Sequence, residues 1–452
     1  MEVREQIMSN QPREKLGSRL GFIMLSAGCA IGCGNVWKFP WMTGQYGGGG
    51  FVLVYVLCLL ILGLPAMTME FAMGRAAQAS PVKMYQKLEK PGWRFHGYLA
   101  LIGNIALMAF YTVVTGWMIY YFVQFVRGAN ANLGFVDMIT NPTVNVGYLA
   151  IAVVLGFGIL CFNLQGGLER VTKYLMVALL VLMIVLAVHS GLLSGAAEGL
   201  KFYLVPDFSK IDASVIVGAM NQAFFTLSIG IGSMAIFGSY IGKERSLLGE
   251  SVNVILLDTL VAIMAGFIIF PACFTYGIEV NAGPSLLFDT MATVFNNMAG
   301  GRFWGSLFFL FMVFAAFSTE LAVFENILAC VRELTGWSRP LGCLVCGVGI
   351  FGIALTTALG YSVFSGFQPF AEGSAWLDFW DFIVSTNLLP LGALIFAVFC
   401  TCKIGWNWDN FKKEANAGKG LKVQDWMQPI FNILPGIILA LYIYGLINFS
   451  WK

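Results

Sequence analysis

The chain has 452 residues, 58% of them hydrophobic and only 11% charged, with a mean hydropathy of +0.78. A soluble domain carries about 25% charged residues, so the composition excludes an ordinary soluble enzyme and indicates a polytopic membrane protein. The net charge of +2 comes without a basic run able to grip nucleic acid, which excludes that partner too.

A membrane-crossing helix needs about 20 apolar residues. Eleven stretches qualify, at 20–42, 50–73, 95–126, 146–163, 171–193, 214–241, 247–276, 303–331, 340–359, 381–402 and 428–449. Residues 1–19 are polar and charged, lack the apolar core of a cleavable signal, and read as a cytoplasmic segment. With the N-terminus inside, inner segments hold 20 of the 26 lysines and arginines. The positive-inside bias therefore places the C-terminus outside.

In chain order, the first span is interrupted by Gly28-Cys29-Ala30-Ile31-Gly32-Cys33-Gly34-Asn35. The sixth is interrupted by Thr226-Leu227-Ser228-Ile229-Gly230-Ile231-Gly232. Glycine inside a helix is costly, and unwound backbone survives in lipid only where it is buried in protein or lines a cavity. Matched breaks in two halves of a membrane protein point to a transporter's midplane site. The half-helix starting near Gly34 would offer N–H groups and a positive dipole end to a carboxylate. The carbonyls of Gly28, Ala30 and Ile31, and those around Phe225, Thr226 and Ser228, would suit Na+ or an ammonium. The alternative is a pair of glycine kinks that only ease packing.

The seventh span contains Asp258 in the apolar run 254–270, and the eighth contains Glu320 and Glu325 beside Ser318 and Thr319. Acids at such depth are expensive and mark functional positions by default. With Asn35 and Thr226 they form an oxygen-rich set suited to a hard monovalent cation; the alternative is hydrogen bonding between helices. The outer segment 277–302 predicts a short lid helix around Ser285–Met298, and the basic inner segment 403–427 predicts a strip along the membrane surface. Cys343-x-x-Cys346 has no partner pair, and the ten cysteines read as small core residues. The spacing of the breaks predicts an all-α fold. It has two inverted five-helix repeats, 20–193 and 214–402, then the surface segment and an eleventh helix at 428–452. No nucleophile–base pairing of the kind enzymes need is visible.

These motifs resemble the neurotransmitter:sodium symporter family, in its bacterial amino acid transporter branch. The resemblance runs from about Arg13 to Trp406. It is carried by Arg19-Leu-Gly-Phe, Gly28-x-Ala-x-Gly-x-Gly-Asn-Val-Trp-Lys-Phe-Pro40, Gly47-Gly-Gly-Gly-Phe51, Glu70-Phe-Ala-Met-Gly-Arg75, Gln222-Ala-Phe-Phe-Thr-Leu-Ser228 and Ala299-Gly-Gly301. It implies sodium-coupled symport of an amino acid by alternating access, in a cell membrane, with two sodium ions, lipid contact and no organic cofactor. Related proteins acting as non-transporting sensors, or a channel, are the alternatives. The resemblance implies a first sodium site at Ala30, Asn35, Thr226 and Asp258, and a second at Gly28, Ile31, Ala315, Ser318 and Thr319. It implies a substrate site lined by Cys29, Ala30, Gly32, Cys33, Gly34, Asn104, Leu107, Met108, Tyr111, Phe225, Thr226, Ser228, Ile231, Thr319, Glu320 and Val323. Lys38, Asp381 and Gln222 would form the outer gate, and Arg13, Glu333 and Tyr240 the inner one.

Six positions depart from the family pattern or select within it. Gly32 stands where the family's amine transporters have aspartate, which implies an amino acid substrate. Asp258 stands where many relatives have asparagine, with Ala262 one turn on, which implies chloride independence. Lys38 replaces arginine, and because lysine cannot make a two-pronged pair a looser or water-bridged outer gate is expected. Glu320 replaces a small or apolar residue, which with Asn104 implies a side-chain pocket with a polar end. The alternative for Glu320 is a carboxyl bonded only internally. Val177 stands in place of a fifth-helix proline, implying a helix that unwinds less readily, and Leu16 replaces an inner-latch tryptophan.

Overall fold

The computed structural model describes residues 15–131, 133–278, 280 and 286–449, and every regular element among them is a helix. Among the described residues nine helices are long and apolar enough to cross a membrane: Gly49–Ala77, Pro91–Arg127, Pro142–Leu160, Leu164–Gly191, Leu247–Tyr276, Gly301–Thr335, Arg339–Ala358, Trp376–Thr401 and Asp425–Ile447. The first span is a bent pair, Arg19–Ala30 and Gly34–Gln45, at 48°. The sixth is split into Ala213–Thr226 and Ser233–Gly238. With the bent pair counted as one span, ten spans lie among the described residues in the expected order, while the sixth expected stretch is a 14-residue apolar helix followed by a six-residue one.

Burial sorts them into layers. In the third and eighth spans 78% of the apolar window is buried, against 17% in the eleventh. The third and eighth therefore form the protein's interior, and the eleventh is a peripheral helix.

Both interruptions have local causes. The first is narrower than the sequence pattern suggests: helix persists through Ala30, Ile31 turns extended, and a wide turn resumes at Gly34. Gly28 stays helical because its role is close approach; a Cβ there would sit 2.9 Å from Thr172 Cγ2 and 3.5 Å from Ser318 Cβ. In the sixth span Ser228, Gly230 and Gly232 have φ of 51°, 99° and 73°. That left-handed region costs a residue with a Cβ about 1–2 kcal/mol, which glycine avoids and Ser228 bears. Neighbouring spans clasp the broken segment: the Gly230 N–H donates to Glu70 Oε1 at 2.5 Å. A Cβ on Gly392 of the tenth span would lie 1.8 Å from the Gly230 carbonyl oxygen.

Three expectations change in detail. The lid helix is Met291–Asn297, preceded by a wide turn Leu286–Thr290, with 281–285 outside the described residues. The fifth span begins with a wide turn, Leu164–Glu169, capped by Asn163. Its inner end therefore departs from α-geometry even without a proline at Val177. The segment 403–427 does not simply lie on the membrane. Its helix Trp408–Ala415 buries Trp408, Phe411 and Ala415, and Glu414 pairs with Arg75 at 2.7 Å and Lys243 at 3.1 Å. Those aromatics pack on Phe431 at the start of the eleventh span, so the segment straps the inner ends of several helices together.

Candidate binding site between the broken helices

The two breaks face each other across a small, nearly filled cavity lined by Cys29, Ala30, Gly32, Gly34, Leu107, Tyr111, Phe225, Ser228, Ile231, Thr319 and Leu389. All of these residues are buried. The loosened backbone is held by side chains from elsewhere. The Cys33 N–H donates to the Tyr111 hydroxyl at 2.9 Å, the Gly32 N–H to Asn35 Oδ1 at 3.0 Å, and the Ser228 hydroxyl to the Cys29 carbonyl at 3.2 Å. Gln222 Nε2 donates to the Gly34 carbonyl at 2.7 Å. Unwinding thus leaves few groups unsatisfied, as a low-dielectric interior demands.

Beside the cavity lie two clusters of oxygen atoms. In the first, Asn35 Nδ2 donates to Asp258 Oδ1 at 2.7 Å and to its carbonyl at 3.0 Å. The Thr226 hydroxyl reaches the same Oδ1 at 3.0 Å, and Tyr55 OH stands 3.5 Å from Oδ2. In the second, the Ser318 hydroxyl lies 3.1 Å from the Ile31 carbonyl and 2.9 Å from that of Ala315. The Thr319 hydroxyl lies 3.1 Å from the Gly28 carbonyl and 3.3 Å from that of Ile31. Residues from the first, sixth and seventh spans, and from the first and eighth, converge where the sequence placed its two candidate cation sets. Hard oxygen ligands of this type suit an alkali cation.

The outer side is closed. Lys38 Nζ contacts Asp381 Oδ1 at 2.6 Å and Oδ2 at 2.8 Å, with Ser385 Oγ at 3.0 Å, and lies 4.4 Å from the centroid of the Phe225 ring. The expected loose or water-bridged gate is therefore replaced by a direct pair: one ammonium reaches both carboxylate oxygens because Ser385, one turn after Asp381, fixes the carboxylate at 2.5 Å.

On the inner side, Arg13 lies outside the described residues. Glu333 accepts from the Ser80 N–H at 3.0 Å and from its hydroxyl at 2.5 Å. The Tyr240 hydroxyl goes to Glu325 at 3.0 Å, and Glu325 pairs with Arg339 at 2.5 Å. The Gly17 N–H is held by Glu169 at 2.7 Å, and the Leu16 N–H by the Tyr240 carbonyl at 3.3 Å. Leu16, in place of the inner-latch tryptophan, thus anchors through its backbone.

Several expected pocket residues sit elsewhere. Cys33, Met108, Thr226 and Val323 are buried but do not line the cavity. Asn104 is committed internally, its Nδ2 donating to the carbonyls of Ala100 and Ile231, both at 2.7 Å. Glu320 is fully buried, also outside the lining, and neither carboxyl oxygen has a hydrogen-bond partner among the described residues. Thr115 stands beside it but donates to the Tyr111 carbonyl at 3.0 Å. The reading of an internally bonded carboxyl therefore rests on Thr115 alone. Sequence reasoning missed Leu389, Ser385 and the Glu325–Arg339 pair. Only Ser385 carried a signal, its position four residues after Asp381.

The family model described as the sodium:neurotransmitter symporter family matches residues 13–131 and 129–452. The chain belongs to that family. It is 31% identical to an uncharacterized sodium-dependent transporter of Haemophilus influenzae, over 97% of this chain and 99% of the relative. It is 32% identical to the uncharacterized sodium-dependent transporter YhdH of Bacillus subtilis, over 98% and 100%. Among solved structures it resembles MhsT in complex with L-phenylalanine, with a TM-score of 0.87 and 33% identity, covering 96% of this chain and 99% of that one. A multi-pass, all-α symporter-family transporter built around two broken helices is therefore the architecture of this chain, and sodium-coupled transport its class of activity.

Proposed function

We propose that this member of the family carries an amino acid inward together with two sodium ions, by alternating access and without chloride. The observation that carries the reading is that the cavity between the breaks is lined by Thr319 of one polar cluster and by Gly34 and Phe225, the chain neighbours of Asn35 and Thr226 in the other. The half-helix beginning at Gly34 aims its positive end at the cavity, where a substrate carboxylate is stabilised. The sixth-span carbonyls freed by the break serve the substrate amine. Gly32 brings no acidic group of its own, so the negative charge at this point comes from the substrate. Sodium at the Asn35–Thr226–Asp258 cluster would then be completed by the substrate carboxylate, which couples ion to cargo. Asp258 supplies the anion that chloride provides in chloride-dependent relatives. The orientation is N-terminus cytoplasmic and C-terminus outside, in the cell membrane.

The first test is a thermal-shift panel on purified protein, covering the common amino acids and their decarboxylated amines in sodium and in potassium. A ligand at a hundred times its Kd adds about 2.7 kcal/mol of stability, enough to read as a shift. Stabilisation only in sodium, by amino acids and not amines, is the expected result. Indifference to sodium, or preference for amines, sinks the reading. Binding without accumulation in proteoliposomes would indicate a sensor, and uncoupled currents a channel.

The unpartnered Glu320 carboxyl, next in sequence to Thr319, is read as the polar end of the side-chain pocket. A buried polar group built to receive a donor rejects analogues lacking it by tenfold or far more (about 10⁴ in strong cases). Glu320→Val is expected to lower the preference for side chains bearing an amine, hydroxyl or ring N–H by at least about tenfold. A competition profile unchanged from the parent protein removes Glu320 from the pocket.

A further inference from the structure

Ile231 is the one cavity-lining residue of the sixth span placed beyond its first left-handed glycine. Gly230 and Gly232 on either side both have positive φ. No helical ladder passes through this stretch, so its position has to be set from outside. Two adjacent residues of the third span do so. The Asn104 amide donates to the Ile231 carbonyl at 2.7 Å, and a Cβ placed on Gly103 would sit 2.6 Å from Ile231 Cγ2. Asn104 is itself rigidly tied. Its second N–H goes to the Ala100 carbonyl at 2.7 Å, and its oxygen accepts from Asn326 Nδ2 at 2.9 Å and the Ser233 hydroxyl at 3.3 Å. Asn326 also reaches Ser233 at 3.2 Å. All three polar residues are essentially inaccessible to solvent.

We propose that Gly103 and Asn104 are the positioning residues that set how far the Ile231 side chain projects into the cavity, and so the largest substrate side chain the transporter accepts. This rests on the reading of the cavity as an amino acid site. The bare Cα of Gly103 lets Ile231 lean back against the third span, while the Asn104 amide holds its backbone in place. Adding one methyl at Gly103 leaves Ile231 Cγ2 nowhere to stay except by turning toward the cavity, because 2.6 Å is far inside van der Waals contact. Since Cγ2 is a side-chain atom, the helix backbone need not move, and the change should be felt as volume taken from the substrate.

The test is competition by glycine, alanine, leucine, phenylalanine and tryptophan, in sodium, against whichever of them binds tightest, on full-length protein in proteoliposomes. Gly103→Ala is expected to shift the ratio of large to small side-chain affinity by tenfold or more toward the small ones. Adding Ile231→Ala to it is expected to restore acceptance of the large side chains, because the atom displaced is gone. If Gly103→Ala does not fold, Ile231→Ala and Asn104→Ala alone carry the test. The first should favour large side chains, and the second should flatten the size preference. An unaltered ratio, or an equal loss for glycine and tryptophan alike, overturns the proposal. Absence of sodium-dependent binding by the parent protein overturns instead the reading on which it rests.

Discussion

Gly32→Ala is expected to abolish sodium-dependent uptake, to below about one hundredth of the parent rate. A methyl at this position would lie 2.2 Å from Thr319 Oγ1, 2.2 Å from the Tyr111 hydroxyl and 3.0 Å from Thr319 Cβ. Each is an anchored group. Thr319 reaches the Gly28 and Ile31 carbonyls, and Tyr111 receives the Cys33 N–H. Making room requires both to move by about an ångström. Overpacking of a well-filled interior costs about 1–3 kcal/mol. Here the same displacement also disperses the second oxygen cluster and removes the hydroxyl that holds the first-span break. A factor of one hundred is about 2.7 kcal/mol, within the sum of those effects. Uptake into sodium-loaded and potassium-loaded gradients measures it, and a variant retaining half the parent rate would show that the cluster at Thr319 is not an ion site.

Asp258→Asn is the second large effect, and it isolates charge from hydrogen bonding. Asn35 and Thr226 both donate to Asp258 Oδ1, whereas Oδ2 meets only the more distant Tyr55 hydroxyl at 3.5 Å. An asparagine can keep its oxygen at the Oδ1 position and turn its amide toward Tyr55, whose hydroxyl can accept. The network then survives and the negative charge does not. Interactions with an ionised partner are worth about 1.5–3 kcal/mol, so half-saturation by sodium should move about 10- to 100-fold higher. On the proposal that the Asp258 charge stands in for chloride, uptake by Asp258→Asn is expected to become stimulated by chloride against gluconate. Asp258→Ala, which also strands the Asn35 and Thr226 donors, should lose more and should not respond to the anion. Sodium affinity equal to the parent's in Asp258→Asn would remove Asp258 from the coupling machinery.

Much of the site was legible in the sequence because its markers are local. Glycines of the sixth-span break report backbone conformations that other residues avoid, those of the first report close approach by neighbouring side chains, and Asp258, Glu320 and Glu325 stand out against apolar runs whatever their surroundings. Motif order then suggested two ligand sets; the structure brings the Asn35 amide and the Thr226 hydroxyl onto the Asp258 carboxylate, and separately the Ser318 and Thr319 hydroxyls onto first-span carbonyls. The gates and pocket walls were less legible. Lys38 and Asp381 were paired through the resemblance, but the directness of their contact depends on Ser385. Asn104 was expected to face substrate and instead spends its amide on Ile231 and its oxygen on Asn326.

By itself the sequence determined the class, the order of the apolar helices and the position of both breaks. Each depends on hydrophobic length, local charge or glycine, quantities summed over neighbours in the chain. Only the tertiary structure decided that Glu320 is buried beside Thr115 with no close hydrogen bond among the described residues and that Leu389 of the tenth span lines the cavity. It alone joined Glu325 to Arg339 and docked the helix Trp408–Ala415 into the inner face. Those outcomes turn on how far each helix is rotated and slid against the next. A rotation of one residue, about 100° on a helix with 3.6 residues per turn, exchanges a partner for lipid and leaves composition, periodicity and motif spacing unchanged.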